Sequence, residues 1–408
     1  VSRWKRYLPA GGQDYLMDEC YNKLLVQDKL RKLFYLSGYD EVETSLLEYM
    51  DVFTGVKASI EQEQMIKLFD SDGRILVLRP DITMSIARIA ATKLRTLTLP
   101  LRISYIGNVY RNQKTQSGKQ SEIAQAGIEL LGVSEPEADA EVIATAVMSL
   151  IDLNLKEFQI DIGQVEFFKG MIAQAEMGEE WEEEIRTLID QKNMLELELT
   201  LKESKISDQL KNIIYDLPKL YGDSDMLKKA AKMSSNIKCT SAIENIREVY
   251  SILKDFGFAK YLTFDLGMVQ SFNFYTGIIF RGITSELGYP ICGGGRYDRL
   301  VNEFGYDIPA TGFAIGMKRI LMVLERQKNL YNIPNIDVLV AYEKNSRQKA
   351  YLMMNELRSD GFRAEAFILS NQETDYYAYA IRKNIPKVIY FNSNGIQKIT
   401  HINEEVCK

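Results

Sequence analysis

Apolar and polar positions alternate from Ala124 to Leu130, placing Ala124, Ala126, Ile128 and Leu130 on one side of an extended chain and Gln125, Gly127 and Glu129 on the other. The segment Tyr105 to Arg111 alternates in the same way, so residues 101–132 predict a β-hairpin with a long polar loop from Asn112 to Gln120. Upstream, the pattern from Asp18 to Leu36 predicts a helix stopped by Ser37-Gly38. Gly38 to Glu48 reads as extended. Ile75 to Leu78 reads as a short buried strand that breaks at Arg79, because Pro80 disfavours helix in the residue before it; a helix then runs from Met84 to Leu94.

Downstream, residues from about 165 to 255 carry amphipathic stretches such as Glu179 to Arg186 and few strand signals, which predicts a helical insertion. Strands return over 261–283, and Gly293-Gly294-Gly295-Arg296-Tyr297-Asp298 opens the last helix-strand unit of a main domain covering 1–330. A linker at Asn332 to Asn335 leads to strand (Ile336–Tyr342), helix (Ser346–Ser359), strand (Arg363–Leu369), helix (Thr374–Lys383) and strand (Lys387–Asn392). That alternation predicts a small α/β domain, 336–408, with a mainly parallel sheet.

Composition narrows the functions available. At 408 residues the chain is too long for one ordinary core, and 46% hydrophobic with 26% charged residues is the balance of a globular protein. No apolar run approaches the roughly 20 residues that cross a bilayer. The start, Val1-Ser2-Arg3-Trp4-Lys5-Arg6, is followed by Pro9, Gly11 and Gly12 rather than an apolar stretch, so a cytoplasmic protein with no membrane partner is expected. The four cysteines, Cys20, Cys239, Cys292 and Cys407, have no metal-ligand spacing and read as reduced thiols. His401 is the only histidine, which rules out a histidine-based triad or a multi-histidine metal site. A net charge of -6 gives no nucleic-acid footprint.

The hairpin carries the candidate chemistry. Its apolar face must pack inward on helices, whereas the other face sets a carboxylate and an amide around a residue with no side chain, the shape of a floor for a small ligand. A covered carboxylate needs a cationic partner, either an internal arginine such as Arg111 or a ligand ammonium. The alternative is a solvated sheet face with an incidental glutamate.

The motifs add a resemblance. Tyr105 to Gly132 resembles motif 2 of class II aminoacyl-tRNA synthetases in its histidyl form. There Arg111 matches the arginine that holds the ATP α-phosphate, and Gln125 and Glu129 match residues that bind histidine. Arg79-Pro80-Asp81-Ile82-Thr83 resembles the family's Arg-Pro-Glu-Gly-Thr, whose acid and threonine hold the amino-acid ammonium; Asp81 is one methylene shorter and Ile82 replaces glycine. Val269-Gln270-Ser271-Phe272-Asn273-Phe274-Tyr275-Thr276-Gly277 resembles Arg-Gly-Leu-Asp-Tyr-Tyr-Thr-Gly. Gly293 to Asp298 and Gly312 to Arg319 resemble the second histidine signature and motif 3, and Asp139-Ala140-Glu141-Val142 also fits. The likeness runs collinearly from residue 8 to about 330. It implies an α+β fold, a class II synthetase-like antiparallel sheet flanked by helices.

The departures are one-sided. Gln270 stands for the catalytic arginine and cannot neutralise a developing negative charge. Gln113 stands for a glutamate, Gly118-Lys119-Gln120-Ser121 for Gly-Arg-x-Arg, Asn273 for an aspartate, and Lys318 for motif 3's acid. Each lost charge contact to a transition state is worth about 3–4 kcal/mol, so several should silence adenylation. The nucleotide and tRNA side is eroded, while Asp81, Thr83, Gln125, Glu129, Phe274 and Tyr275 stay on the amino-acid side. On this pattern the chain is identified as a member of the ATP phosphoribosyltransferase regulatory subunits, paralogues of histidyl-tRNA synthetase.

The resemblance implies several things together: no catalytic residue, no metal and no cofactor. It also implies a short-form catalytic phosphoribosyltransferase as partner in histidine biosynthesis, and feedback by free histidine bound near the residues just named and Arg111. A self-dimer through the segment Gly38 to Glu48, within a hetero-octamer, and little affinity for tRNA complete the expectation. An active histidyl-tRNA synthetase and a tRNA-sensing binding protein on the same fold remain as alternatives.

Overall fold

The structure is a computed structural model that describes residues 3–54, 60–112, 120–234, 236–269, 274–368, 373–395 and 397–402. The chain divides into two compact units, Val1–Leu330 and Tyr331–Lys408. In the first, helix α1 (Met17–Leu36) is followed by short strands β1 (Asp40–Glu41) and β2 (Leu47–Tyr49), strands β3 (Ile66–Phe69) and β4 (Ile75–Leu78), and helix α2 (Thr83–Thr92). The hairpin is β5 (Leu101–Tyr110) and β6 (Glu122–Leu131); α3 (Pro136–Asp152) and β7 (Phe158–Gln164) come next.

From Val165 to Asp255 the chain is mostly helical: α4 (Val165–Ile172), α5 (Glu179–Asp190), α6 (Met194–Glu203), α7 (Asp208–Asp216), the short strand β8 (Tyr221–Gly222), α8 (Ser224–Ala230) and α9 (Ile237–Asp255). Strands β9 (Leu262–Asp265), β10 (Ile278–Thr284), β11 (Leu287–Arg296) and β12 (Ala310–Gly316) and helix α10 (Met317–Arg326) close the unit. The main sheet has the order β1-β5-β6-β12-β11-β10-β7-β9-β8. It is antiparallel through its centre, and the β1–β5 and β7–β9 pairs are parallel.

The alternation along β6 decides how this sheet is covered. Ala124, Ala126, Ile128 and Leu130 enter one large core with Val26, Leu30 and Phe34 of α1, Val142 and Val147 of α3, and Ile320 and Leu324 of α10. The opposite face meets a second core that contains Ile82 and Met84 at the start of α2, Tyr105, Met268, Tyr275, Ile279, Tyr297 and Leu300. Glu129 therefore lies beneath a packed layer. The reading of its face as solvated surface is overturned: Glu129 is 1% exposed.

Other expectations meet the backbone directly. Gly38 takes φ +84°, and Tyr39 N–H bonds the Phe34 carbonyl, so α1 ends where its glycine stop predicts. The glycine run 293–295 is not a turn. It lies inside β11, where an added Cβ at Gly294 would come within 2.1 Å of the Gly312 carbonyl oxygen. The strands β3, β7 and β8, and the strand Gln397–His401 of the second unit, escaped the sequence reading. β3 pairs with β4, which also pairs with β2, in a small three-stranded sheet, order β2-β4-β3. In the second unit, β13 (Val338–Tyr342), α11 (Arg347–Ser359), β14 (Ala364–Ala366), α12 (Glu373–Arg382) and β15 (Lys387–Phe391) follow the expected alternation, and β16 (Gln397–His401) adds an edge. That sheet, β14-β13-β15-β16, is parallel except at the β15–β16 pair.

Candidate functional site

The second core holds a cluster of polar groups on the Gln125–Glu129 face of β6. The Thr83 hydroxyl, at the first residue of α2, donates to Glu129 Oε1 at 2.8 Å. The Tyr297 hydroxyl, just past β11, makes a short hydrogen bond to Glu129 Oε2. Gly312 lies directly opposite Glu129 on β12, and an added Cβ there would fall 1.7 Å from Glu129 Oε2, so the carboxyl needs a glycine beside it. Gly127 likewise leaves room for the Tyr105 hydroxyl, 2.5 Å from where its Cβ would stand.

Asp81 caps the start of α2, accepting from Met84 N–H at 3.0 Å. The Thr83 hydroxyl also lies close to the Asp81 carboxyl and the Tyr105 hydroxyl. Arg111, one residue past β5, donates its Nε to the Pro80 carbonyl at 3.0 Å and faces Asp81.

The electrostatics follow from burial. Burial pushes the Glu129 carboxyl up to about 8, against the Tyr297 and Thr83 hydroxyls that favour its anion, and the nearby Asp81 adds to the rise. Burial also raises Asp81, while Arg111 pulls it back. The Arg111 guanidinium is lowered by burial and by Arg319, and raised by Asp81. Tyr275 is raised by burial and then by the charges of Glu129 and Asp81, which places its phenol in the same cluster. Phe274 packs on Tyr275 at 4.6 Å between ring centroids and meets Tyr297 edge-on at 6.0 Å.

Asp81, Thr83, Arg111, Glu129, Phe274 and Tyr275 thus come together in three dimensions from four separate segments. Gln125 shares the face but lies four residues along β6, about 13 Å from Glu129 at the usual strand rise, opposite Gly107 and Gly316. Tyr105, Tyr297 and Gly312 were not singled out from the sequence as part of the pocket. Tyr105 had a signal in the alternation of β5, and Tyr297 and Gly312 lie within the two glycine-containing motifs, 293–298 and 312–319.

The eroded side is only partly described. Gln113, Gly118, Lys119, Gln270 and Asn273 lie outside the described residues, as does Cys407. Lys318 Nζ donates to Gln13 Oε1 at 2.9 Å, and Gln120 Nε2 donates to the same oxygen at 2.5 Å. Ser121 N–H bonds the Gly11 carbonyl at 3.0 Å. The N-terminal segment is therefore tied to the start of β6 and to the start of α10.

Two motif residues serve the fold. Arg296 is buried and donates Nε to Asp139 Oδ2 at 2.9 Å and Nη1 to the Val133 carbonyl and Asp298, latching β11 to α3. Arg79 bonds the carbonyls of Asn108 and Thr44. Among the described residues no group of three or more His, Cys, Asp or Glu side chains could hold a metal ion, and no helix is long and apolar enough to cross a membrane.

The family model described as histidyl-tRNA synthetase matches residues 11–320. A protein of Acetivibrio thermocellus named ATP phosphoribosyltransferase regulatory subunit is 47% identical over 389 residues, covering 95% of this chain and 93% of the relative. One of the same name from Clostridium acetobutylicum is 42% identical, covering 98% of each. Among solved structures, an ATP phosphoribosyltransferase regulatory subunit/histidyl-tRNA synthetase from Bacillus halodurans matches with a TM-score of 0.85 at 31% identity, over 95% of this chain and 98% of that one. A histidyl-tRNA synthetase from a Nostoc species shares the fold, with a TM-score of 0.81 at 21% identity over 98% of both chains.

Proposed function

The chain belongs to the ATP phosphoribosyltransferase regulatory subunits, a family on the histidyl-tRNA synthetase fold, and from that premise we propose that it binds free histidine in the Glu129 pocket. It is a regulatory subunit, not the catalyst, and its partner is a catalytic ATP phosphoribosyltransferase of the short form. Histidine acts as feedback effector, because a ligand that prefers one assembly state over another shifts the partner's activity by that difference in affinity.

One observation carries the ligand reading. Two covered carboxyls, Asp81 and Glu129, lie close to Thr83, and among the described residues the guanidinium that faces them, Arg111, faces Asp81. Among the described residues the pocket is one positive group short and has its own cation at one end. An amino acid with a basic side chain supplies both a cationic or proton-sharing group for Glu129 and a carboxylate for Arg111. Tyr275 and Phe274 supply aromatic walls for an imidazole.

Self-association belongs to the same reading. The exposed face of the small sheet gathers Leu47, Tyr49, Ile66, Leu68, Leu76 and Leu78, none of them buried, next to the segment Gly38 to Glu48. A second copy covering it would give the dimer expected within a hetero-octamer. Little tRNA affinity is expected of a chain of net charge -6. The complex works in the cytoplasm.

The deciding experiment adds this chain to a purified short-form catalytic subunit. Activity should appear or rise and become inhibitable by histidine; an unchanged, histidine-insensitive activity would sink the reading. Histidine-dependent ATP–pyrophosphate exchange by the chain alone should be undetectable, and robust exchange would instead identify an active synthetase.

A further inference from the structure

We propose that Arg281 is a positioning residue for the pocket: it holds the crossover between β9 and β10 that carries Phe274 and Tyr275, and so sets the aromatic walls without touching the ligand. This rests on the reading of the pocket as a histidine site and adds a residue outside it on which the affinity depends.

The topology creates the need. In the main sheet β9 and β10 lie on either side of β7, so the chain from Asp265 to Ile278 must cross β7. The span is about 10 Å at the usual strand spacing. Paired residues run across the sheet from Glu129 through Gly312, Gly295 and Ile279 to Gly163, which puts Gly163 of β7 on the pocket's face. An added Cβ at Gly163 would stand 2.8 Å from the Asp265 carbonyl oxygen and 3.0 Å from Met268 Cε. The crossover therefore starts over Gly163, on the side where Glu129 lies. Its residues Met268 and Tyr275 both belong to the second core.

The next row of the sheet holds the tie. Gly127, Ala314, Gly293, Arg281 and Asp161 pair in turn across the strands, and Asp161 pairs with Thr263 of β9. Arg281 reaches sideways along this row: its Nε donates to Asp161 Oδ2 at 3.2 Å and its Nη2 to Asp265 Oδ2 at 3.0 Å. Both acids are buried, with side chains 1% and 2% exposed. Their other oxygens are used as well. Thr263 donates to Asp161 Oδ1 at 2.5 Å, and the Gly267 N–H donates to Asp265 Oδ1 at 3.0 Å. Asp265 thus joins the first turn of the crossover to the strand that the crossover enters, and closes it into a ring. Gly267 itself is tightly packed, because an added Cβ there would stand 2.8 Å from Pro218 Cα.

Arg281 acts at a distance from the ligand. Strand β10 is three strands from β6, so Arg281 stands about 14 Å from the Glu129 column. A buried carboxylate that loses its guanidinium either stays charged without that partner or takes a proton and gives up a charge-assisted hydrogen bond. Burial pushes Asp265 above its ordinary value, and Arg281, ahead of Lys192, opposes that rise. Asp190, the last residue of α5, also faces Arg281. Without the tie the start of the crossover must be ordered when ligand binds, and that ordering costs affinity.

In Arg281→Gln, hydrogen exchange of the ligand-free protein should quicken by at least about tenfold at the amides of 266–269 and 274–277, while the hairpin β5–β6 stays as in the parent. Calorimetric titration near pH 7 should show L-histidine bound at least about tenfold more weakly. Arg281→Lys, a point charge that serves one carboxylate at a time, should fall between the two. Adding Asp265→Asn to Arg281→Gln removes a stranded charge and keeps an acceptor for the Gly267 N–H. The melting temperature should then recover while the weakened binding persists. Affinity that recovers in step with the melting temperature would mean that Arg281 acts through stability alone and overturns the proposal, as does parent-like binding by Arg281→Gln. Should Arg281→Gln fail to fold, the double variant and Arg281→Lys decide in the same way. If L-histidine does not bind the parent, the histidine reading itself has failed; binding by the parent that Arg281→Gln matches leaves that reading intact and removes only this inference.

Discussion

Glu129 is legible in the sequence as a polar residue on an alternating strand, but its state is not. Periodicity tells which face a side chain takes and says nothing of what covers that face, and here the cover comes from residues 82, 84, 275 and 297. Its buried acid also bears on stability. The folded value, about 8, lies above the unfolded value of roughly 4.3. The native state therefore holds the extra proton, so the stabilisation is complete below about pH 4 and is lost as pH rises through about 8. Melting temperatures taken from pH 5 to 9 should show Glu129→Gln gaining on the parent as pH rises. Gly312→Ala tests the other side of the contact. Its Cβ would meet both Glu129 Oε2 and, at 2.5 Å, the Ile128 carbonyl oxygen. Overpacking of this kind costs about 1–3 kcal/mol; urea unfolding should show that loss, and calorimetry should show histidine affinity reduced by at least ~10-fold.

At the scale of elements, strong local signals were read well where one period dominates. Helix α1 and the hairpin β5–β6 carry such patterns, and Pro80 marks the end of β4. Alternation taken alone would mislead inside the helical insertion that the sequence predicts over about 165–255. Leu195 to Leu201 alternates like a strand yet lies in helix α6, which buries Leu197 and Leu201 and leaves Leu195 and Leu199 exposed. Neighbouring helices supply the packing that overrides the pattern. The motif residues Asp139 and Arg296 are 157 positions apart, and no spacing rule shows that they pair. Removing the guanidinium strands a buried carboxylate, a loss in the range of about 3–5 kcal/mol. Arg296→Ala should accordingly lower the urea midpoint far more than loss of an exposed pair such as Lys202 with Glu198, which is worth at most about 1 kcal/mol.

For the whole molecule, the small sheet β2-β4-β3 sets the next test. Leu47 is 45% exposed and Leu68 40%, on the same apolar face. Single exposed leucines need no explanation, but six apolar residues on one face do. Leu47→Lys with Leu68→Lys should leave the melting temperature close to the parent's and shift the sedimenting species toward the monomer. An unchanged dimer would remove this face from the interface. The collinear order of motifs implied the fold class through resemblance to a known family, while the alternating strands showed which residues share a face. Only the tertiary structure decided the character of the pocket. It brought Asp81, Thr83, Glu129, Tyr275 and Tyr297 together from segments far apart, sealed Glu129 away from water, and left it without a cation among the described residues. Charge balance in a buried site is a sum over neighbours in space, and no stretch of sequence contains that sum.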